Sequence, residues 1–216
     1  MIRWRALFLA AAVVSVAGCG GYGVGSEGPP TPAQARAQAT ARFAGLLNAG
    51  APALQVALER DETSTIALRE VSRGGVDSFV SSDGVALKLR RGMLVGTAGL
   101  GADMMGSNVA DSLALVTTGR SGVAERFHSF LDGENRAVTR SYVCIITPKG
   151  GRGIEVGTRD EQLRQVTTRL VQEDCKSLDQ EFSNLYWLAS GSGRIVQSRQ
   201  WAGDFTGPIV LRAVLD

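Results

Sequence analysis

Residues 181–203, EFSNLYWLASGSGRIVQSRQWAG, predict two antiparallel β-strands joined by a tight turn. The first strand has alternating side chains, and residues 190–193 tolerate the positive φ angles that a hairpin turn requires. Alternation divides the return strand between two faces, with Ile195 and Trp201 on one and Val196, Ser198 and Gln200 on the other. Because aromatic side chains bury large areas, Tyr186, Trp187 and Trp201 favour this hairpin as the centre of the core.

Short alternating runs also precede this hairpin, from Leu54 onward, and turn sequences that draw on the chain's 27 glycines separate them. This pattern favours antiparallel strands over a helix bundle. We therefore predict an all-β fold, a mainly antiparallel β-sandwich or open barrel, with one N-terminal α-helix. Residues 112–117 are predicted as a short strand. Residues 163–175 are also predicted as a strand, although their spacing fits a helix too.

The single helix is predicted to begin at residues 31–34, TPAQ, where Thr31 and Gln34 have the spacing of a capping box. It should run to about Ala49. Its thin apolar face indicates that it lies on a sheet or across the end of a barrel, and a membrane-surface helix is the alternative. Nothing after Thr31 resembles a second linker, so residues 31–216 are predicted to form a single β-rich domain.

The first 18 residues have the pattern of a secretory signal, with Arg3 and Arg5 before an apolar run. That run is shorter than the roughly 20 residues that a membrane-spanning helix needs. Residues 16–19, VAGC, resemble the bacterial lipobox, which implies that Cys19 becomes the first mature residue and carries acyl chains. We therefore predict a lipoprotein signal peptide at 1–18, and acylated Cys19 with a Gly-rich tether at 19–30. A plain signal peptide with a chance cysteine is the alternative.

The charge balance argues against a nucleic-acid partner. Without Arg3 and Arg5 of the signal, 21 of the 23 basic residues remain, against 21 acidic residues. Nucleic-acid binding needs a basic patch or stripe, and none is evident. The one local cluster, Lys88, Arg90 and Arg91, fits the solvated side of an alternating strand and its turn.

The remaining cysteines, Cys144 and Cys175, form an even pair in an exported chain. We predict a disulfide between them, which would stabilise the fold by about 3–4 kcal/mol on the chain-entropy model. Two separate buried thiols are the alternative. There is no CxxC motif and no nearby histidine, so neither a metal site nor a cofactor is predicted.

No catalytic constellation stands out, and the chain is predicted not to be an enzyme. His128, the one histidine, is predicted to lie at the surface or half-buried on a strand, and no GxSxG motif accompanies it. The candidate paired carboxylates all fall at predicted turns, where such residues are ordinary: Asp83, Asp103, Asp132 and Glu134.

Residues 98–107, AGLGADMMGS, interrupt the alternation and predict an irregular crossing between strands. The segment lacks the third glycine and the strand–helix setting of a dinucleotide site. We expect Asp103 to accept hydrogen bonds from local backbone, and Met104 and Met105 to fill the core.

The hairpin also carries a resemblance to a family. Its NLYW and, after the turn, IVQSRQW resemble the C-terminal signature N-x-Y-W … G-x-[IV]-x-x-S-R-Q-W of the YjbF/GfcB lipoproteins. Residues 97–103, TAGLGAD, resemble the mid-chain T-x-G-L-G-x-D element of that family. After the last tryptophan, Ala-Gly-Asp replaces the usual Ile-Gly-Pro. The matching positions are the candidate binding residues: Tyr186, Trp187, Ser198, Arg199, Gln200, Trp201, Gly99, Gly101 and Asp103.

The resemblance implies a lipoprotein of group 4 capsule or related exopolysaccharide systems, encoded with an outer-membrane barrel and a periplasmic partner. The expected role is non-catalytic: binding such a secretion partner or the polysaccharide. Gly20, rather than Asp, follows Cys19, which favours the outer membrane, facing the periplasm. The alternatives are a lipid or glycolipid carrier with a half-open barrel, and a polysaccharide-modifying enzyme. Tyr186, Trp187 and Trp201 also suit a sugar-stacking surface.

Overall fold

The computed structural model describes residues 29–131 and 136–216, which form one antiparallel sheet and two helices. The predicted signal peptide, Cys19 and most of the tether lie outside the described residues, as do Asp132 and Glu134. None of the described helices combines the length and hydropathy needed to cross a bilayer.

The elements in chain order are α1 (Pro32–Asn48), β1 (Ala53–Leu58), β2 (Thr63–Arg73), β3 (Val76–Ser81), β4 (Ala86–Arg90), β5 (Met93–Ala98), β6 (Met104–Asn108), α2 (Ala110–Thr118), β7 (Gly122–Leu131), β8 (Ala137–Gly157), β9 (Leu163–Lys176), β10 (Glu181–Ala189), β11 (Ile195–Trp201) and β12 (Pro208–Ala213).

The described strands form a 12-stranded sheet in the order β5-β4-β3-β2-β1-β12-β11-β10-β9-β8-β7-β6. Its two end strands, β5 and β6, are joined by a short loop and lie next to each other. A Cβ on Gly96 of β5 would be 3.3 Å from the carbonyl oxygen of Met104 on β6. The sheet is therefore nearly closed and barrel-like, and the predicted mainly antiparallel open barrel is confirmed.

Helix α1 has the predicted start. The Thr31 hydroxyl accepts from the Gln34 backbone amide, and the Gln34 side chain accepts from the Thr31 amide at 2.8 Å. The helix lies on the outer surface of β2 and β3, where Arg42 pairs with Glu70. None of its residues is buried.

The prediction of a strand at residues 112–117 is wrong, because this segment belongs to helix α2. Val109, Leu113 and Val116 have helical spacing, and all three are buried against β7 and β8. Gly119, with φ of 67°, ends the helix in the left-handed conformation. By contrast, residues 163–175 form the predicted strand, β9.

The central hairpin forms as predicted, with Tyr186 opposite Ser198 and Leu185 opposite Arg199. Tyr186 is fully buried, whereas Trp187 and Trp201 are half-buried. Trp201 packs against the buried core residues, as expected of a core aromatic, and Trp187 is not among them. The interior is instead filled by the even-numbered positions of both strands: Phe182, Asn184, Tyr186 and Leu188 on β10, and Val196, Ser198 and Gln200 on β11.

Candidate functional site

A buried ion pair lies beside the central hairpin. The Arg126 guanidinium of β7 donates to the Glu173 carboxylate of β9, with Nη1 and Oε2 2.5 Å apart. Tyr186 Oη and Asn184 Nδ2 donate to the same oxygen, each at 2.8 Å. Arg126 Nη1 also donates to Tyr186 Oη at 3.1 Å. Two residues of the hairpin motif therefore hold the carboxylate in place.

Both partners of this ion pair are charged. Burial by itself would raise the pKa of Glu173, but the attraction of Arg126 and the donors Asn184 and Tyr186 bring that pKa below its ordinary value. Burial and the nearby Glu173 charge raise the pKa of Tyr186, so its phenol stays protonated and can donate. The cluster joins β7, β9 and β10 inside the sheet.

Gln200 links the hairpin to the opposite part of the sheet. Its Oε1 accepts from the Leu94 amide of β5, and its Nε2 donates to the Gly92 carbonyl, both at 2.8 Å. Nε2 also donates to Ser198 Oγ at 2.9 Å. Both side chains are buried, so these motif residues connect β11 to the β4–β5 turn across the interior.

The TAGLGAD segment closes the loop between β5 and β6. Asp103 accepts from the Gly99 amide at 2.8 Å, the Leu100 amide at 3.1 Å and Thr97 Oγ1 at 2.9 Å, so its predicted local role is confirmed. Met104 is buried as predicted. The same prediction for Met105 is wrong, since 52% of it is exposed.

Gly101 brings the two motif regions together. Its φ of 99° is one that residues with a side chain rarely adopt, and a Cβ there would be 2.8 Å from the Phe205 ring. Phe205 lies in the loop that follows the SRQW segment of the hairpin. The TAGLGAD loop and the end of the hairpin motif are therefore neighbours in the fold.

The remaining motif residues are partly exposed. Arg199 forms a two-point ion pair with Glu59 in the turn after β1, with both nitrogen–oxygen distances at 2.7 Å. Trp201 stacks on Phe182, with ring centres 5.9 Å apart and planes at 11°. Trp187 is half-buried. These residues are accessible, whereas Asn184, Tyr186, Ser198 and Gln200 are not.

The prediction that His128 is at the surface or half-buried is wrong, because it is fully buried. Alternation along β7 places it on the same interior face as Ala124 and Arg126. Its ring stacks on Phe182 and contacts Tyr142. Neither ring nitrogen has a hydrogen-bond partner among the described residues, so no described serine or carboxylate forms a relay with it. Burial and the nearby Arg126 charge lower the pKa of His128 well below its usual value.

The predicted disulfide between Cys144 and Cys175 is present. The two residues lie directly opposite each other on β8 and β9, with Cα atoms 4.0 Å apart. Their sulfurs and a Glu173 carboxylate oxygen are within 4.8 Å of one another. Because the disulfide occupies both sulfurs, this group offers no thiolate ligands to a metal.

The outer surface of β7 and β8 is an exposed apolar face. It consists of Val123 and Phe127 on β7, Val143 and Ile145 on β8, and Leu178 in the β9–β10 turn. Val143 and Ile145 are each 56% exposed. Glu125, Asp174 and Lys176 lie among these residues, so the face combines exposed apolar and charged side chains, as interaction surfaces do.

A cleft of about 380 Å³ opens at one end of the sheet. The β4–β5 turn lies on one side of it, and the β10–β11 turn lies on the other. Apolar side chains and four charged residues line it, namely Leu54, Phe79, Leu89 and Ile195 with Arg69, Arg91, Arg194 and Asp77. The sequence prediction placed Arg91 only on a solvated turn, because sequence spacing does not show that the three arginines meet.

Comparisons with known proteins agree with the resemblance in sequence. Residues 31–213 match the family model described as group 4 capsule polysaccharide lipoprotein GfcB, YjbF. The crystal structure of the hypothetical lipoprotein YmcC from Escherichia coli (K12) has the same fold. It is 15% identical, with a TM-score of 0.67 over 88% of this chain and 97% of that chain. A protein with a YmcC-like fold from Bacteroides fragilis NCTC 9343 is 9% identical, with a TM-score of 0.29 over 76% and 93% of the two chains. No curated protein sequence matches this chain.

Proposed function

Because this chain belongs to the YjbF family of group 4 capsule polysaccharide lipoproteins, we propose that it is a lipid-anchored accessory protein of capsule or exopolysaccharide secretion. It acts by binding a secretion partner or the polymer. The family match over residues 31–213 is the observation that carries this proposal.

The proposed location of the protein is the periplasmic side of the outer membrane. Cys19 carries the acyl chains, and the Gly-rich segment after it tethers the folded body to the membrane surface. The lipobox at residues 16–19 and Gly20 after the cysteine support this location.

Several polar side chains of the hairpin motif maintain the fold, and the surface features described above suit a binding role. Asn184 and Tyr186 contact Glu173, and Gln200 contacts the β5 backbone, so these side chains maintain the fold. The features left at the surface are the apolar face of β7 and β8 and the arginine-lined cleft, both of which suit binding.

One observation favours the carrier alternative. The barrel-like sheet has a cleft with an apolar floor, which includes Leu54 and Ile195, and such a floor could receive part of a lipid. Carriage requires that lipid leave a membrane with the protein, so lipid extraction from vesicles separates this alternative from partner or polymer binding.

The test is affinity purification of the full-length acylated protein from native membranes, followed by mass spectrometry and sugar analysis. We expect an outer-membrane or periplasmic secretion component, or the polymer, to co-purify. A V143S/I145S variant of the apolar face should lower recovery of a protein partner. An L163S variant should not, because Leu163 is at least as exposed but lies at the start of β9. Recovery of neither a secretion component nor polymer from the wild type would contradict the proposal.

A further inference from the structure

Two arginines at the mouth of the cleft have no partner for their charge among residues 29–131 and 136–216. Arg69 lies 3.9 Å from Asp77. None of the described residues accepts a hydrogen bond from the side chain of Arg91 or Arg194, or forms an ion pair with it. Three cations and one anion therefore line the cleft, which leaves an excess of positive charge at its rim.

The fold holds Arg91 at this rim in a conformation that is unfavourable for arginine. Its φ is 50°, and Gly92 follows with φ of 90°. A Cβ on Gly92 would be 2.8 Å from Ile195 Cβ, so the turn lies directly on the cleft floor. Gln200 of the hairpin motif fixes the turn by donating to the Gly92 carbonyl at 2.8 Å.

The β10–β11 turn provides the other side of the cleft. A Cβ on Gly193 would be 3.5 Å from the Thr117 carbonyl oxygen of α2, which places this turn against the end of the helix. Arg194 follows it and is exposed. Guanidinium groups bind carboxylates in a planar two-point geometry, and an apolar floor suits the C–H face of a sugar ring.

The N-terminal half of α1 lies towards the end of β4 that is opposite the cleft. Ala39, near the middle of α1, lies beside Gly84 at one end of β4, since a Cβ on Gly84 would be 3.7 Å from it. The chain leaves α1 towards Pro52, whose carbonyl accepts from the Arg69 amide at 2.8 Å at the cleft. Residues 32–38 are exposed and lead towards the tether.

We infer that this cleft binds the carboxylate-bearing residues of an acidic oligosaccharide through Arg91 and Arg194, with Arg69 contributing charge. The inference rests on the proposed function and names the chemistry of the polymer that the protein would contact. A cleft of about 380 Å³ is at the small end of ligand sites, so it holds a short segment of a chain.

Isothermal titration calorimetry on the full-length acylated protein in non-ionic detergent tests the inference. The ligands are trigalacturonate, neutral maltotriose and, as a third arm, glycerophosphoglycerol, which is the soluble headgroup of phosphatidylglycerol. The variants are R91Q/R194Q and, as a control, R36Q, because Arg36 is an exposed arginine on α1. Urea unfolding of each variant establishes that it is folded.

We expect trigalacturonate to bind and maltotriose not to bind. R91Q/R194Q should weaken trigalacturonate binding by at least about tenfold, since each charge-assisted contact contributes substantially, and R36Q should leave it unchanged. Failure of the wild type to bind trigalacturonate, equal binding of maltotriose, or an unaffected R91Q/R194Q variant would overturn the inference. So would binding of glycerophosphoglycerol alone, which would assign the cleft to anionic lipid headgroups.

The membrane purification described above distinguishes failure of the cleft assignment from failure of the proposed function. If secretion components co-purify but trigalacturonate does not bind, only the assignment of the cleft fails. If trigalacturonate binds but neither secretion components nor polymer co-purify, the proposed function fails and the anion site remains.

Discussion

Arg126 and Glu173 form an ion pair inside the sheet, with both side chains at least 99% buried. Tyr186 and Asn184 donate to the carboxylate oxygen that accepts from Arg126. The hairpin motif therefore supplies two of the hydrogen bonds that stabilise the buried charge pair. This relationship gives the motif a structural role that a sequence pattern alone does not show.

Removing the charge of Glu173 should strongly destabilise the protein. The E173Q variant leaves Arg126 charged and buried without its counterion, and the expected loss is about 3–5 kcal/mol in the free energy of unfolding. Replacing both residues, in R126M/E173M, should recover most of that loss. Urea unfolding followed by circular dichroism measures both effects.

The matched control is the surface pair Arg199–Glu59, where E59Q should cost no more than about 1 kcal/mol. Equal losses in the free energy of unfolding for E173Q and E59Q would show that the buried pair contributes no more to stability than the surface pair. A double variant less stable than E173Q would show that the cluster tolerates no apolar replacement.

His128 should make stability depend on pH below about 6.5, the ordinary histidine value. Its pKa is lowered in the folded protein by burial and by Arg126, so the unfolded chain binds a proton more readily. The free energy of unfolding should therefore fall as the pH drops below that value. Glu173, whose pKa is also lowered, adds a further loss only in the more acidic range where a free carboxyl group begins to protonate.

The H128F variant tests this dependence, because phenylalanine fits the surrounding rings of Phe182 and Tyr142 without titrating. Its free energy of unfolding should change less than that of the wild type between pH 7 and pH 5, a range that includes the ordinary histidine pKa of about 6.5. An identical slope in both proteins would assign the dependence to another group.

Much of the fold was predictable because it depends on local chemistry. The capping box at Thr31 and Gln34 predicted the start of α1. The alternating residues and glycine turn at 181–203 predicted the β10–β11 hairpin. Helix α2 was missed because its short apolar run fits a strand as well as a helix, and only packing of Leu113 and Val116 against β7 and β8 decides between them.

The two faces of the strands were harder to assign. Arg126, His128 and Glu173 lie inside, while the apolar Val143 and Ile145 lie outside. Hydropathy predicts the opposite arrangement, because it does not account for charges that satisfy each other across neighbouring strands. The cleft was not predictable for a related reason: Arg69, Arg91 and Arg194 come from distant segments that meet only when the sheet curls.

Removing the disulfide should cost about 3–4 kcal/mol on the chain-entropy model, given that 31 positions separate the two cysteines. The C144A/C175A variant should show this loss in urea unfolding, and reduction of the wild type should reproduce most of it. An oxidised and a reduced wild type of equal stability would contradict the expectation.

Arg91 should be replaceable by glycine without loss of stability. Its φ of 50° disfavours any residue with a side chain, so R91G should unfold with the same free energy or with a gain of up to about 1 kcal/mol. Affinity for trigalacturonate should nevertheless fall. The E161G variant is the control, because Glu161 has a φ of 61° but does not line the cleft. A clear destabilisation by R91G would mean that the arginine serves the fold.

The central claim, that this YjbF-family protein assists polysaccharide secretion by binding, is tested most directly by where the polymer accumulates. Polysaccharide is quantified outside the cells and in the periplasm of a deletion strain, with the wild-type gene and a C19S variant returned to it. The account predicts less external polymer and more periplasmic polymer in the deletion strain, with unchanged sugar composition, and restoration by the wild type but not by C19S. Normal export of polymer with an altered composition would contradict it and indicate a modifying enzyme.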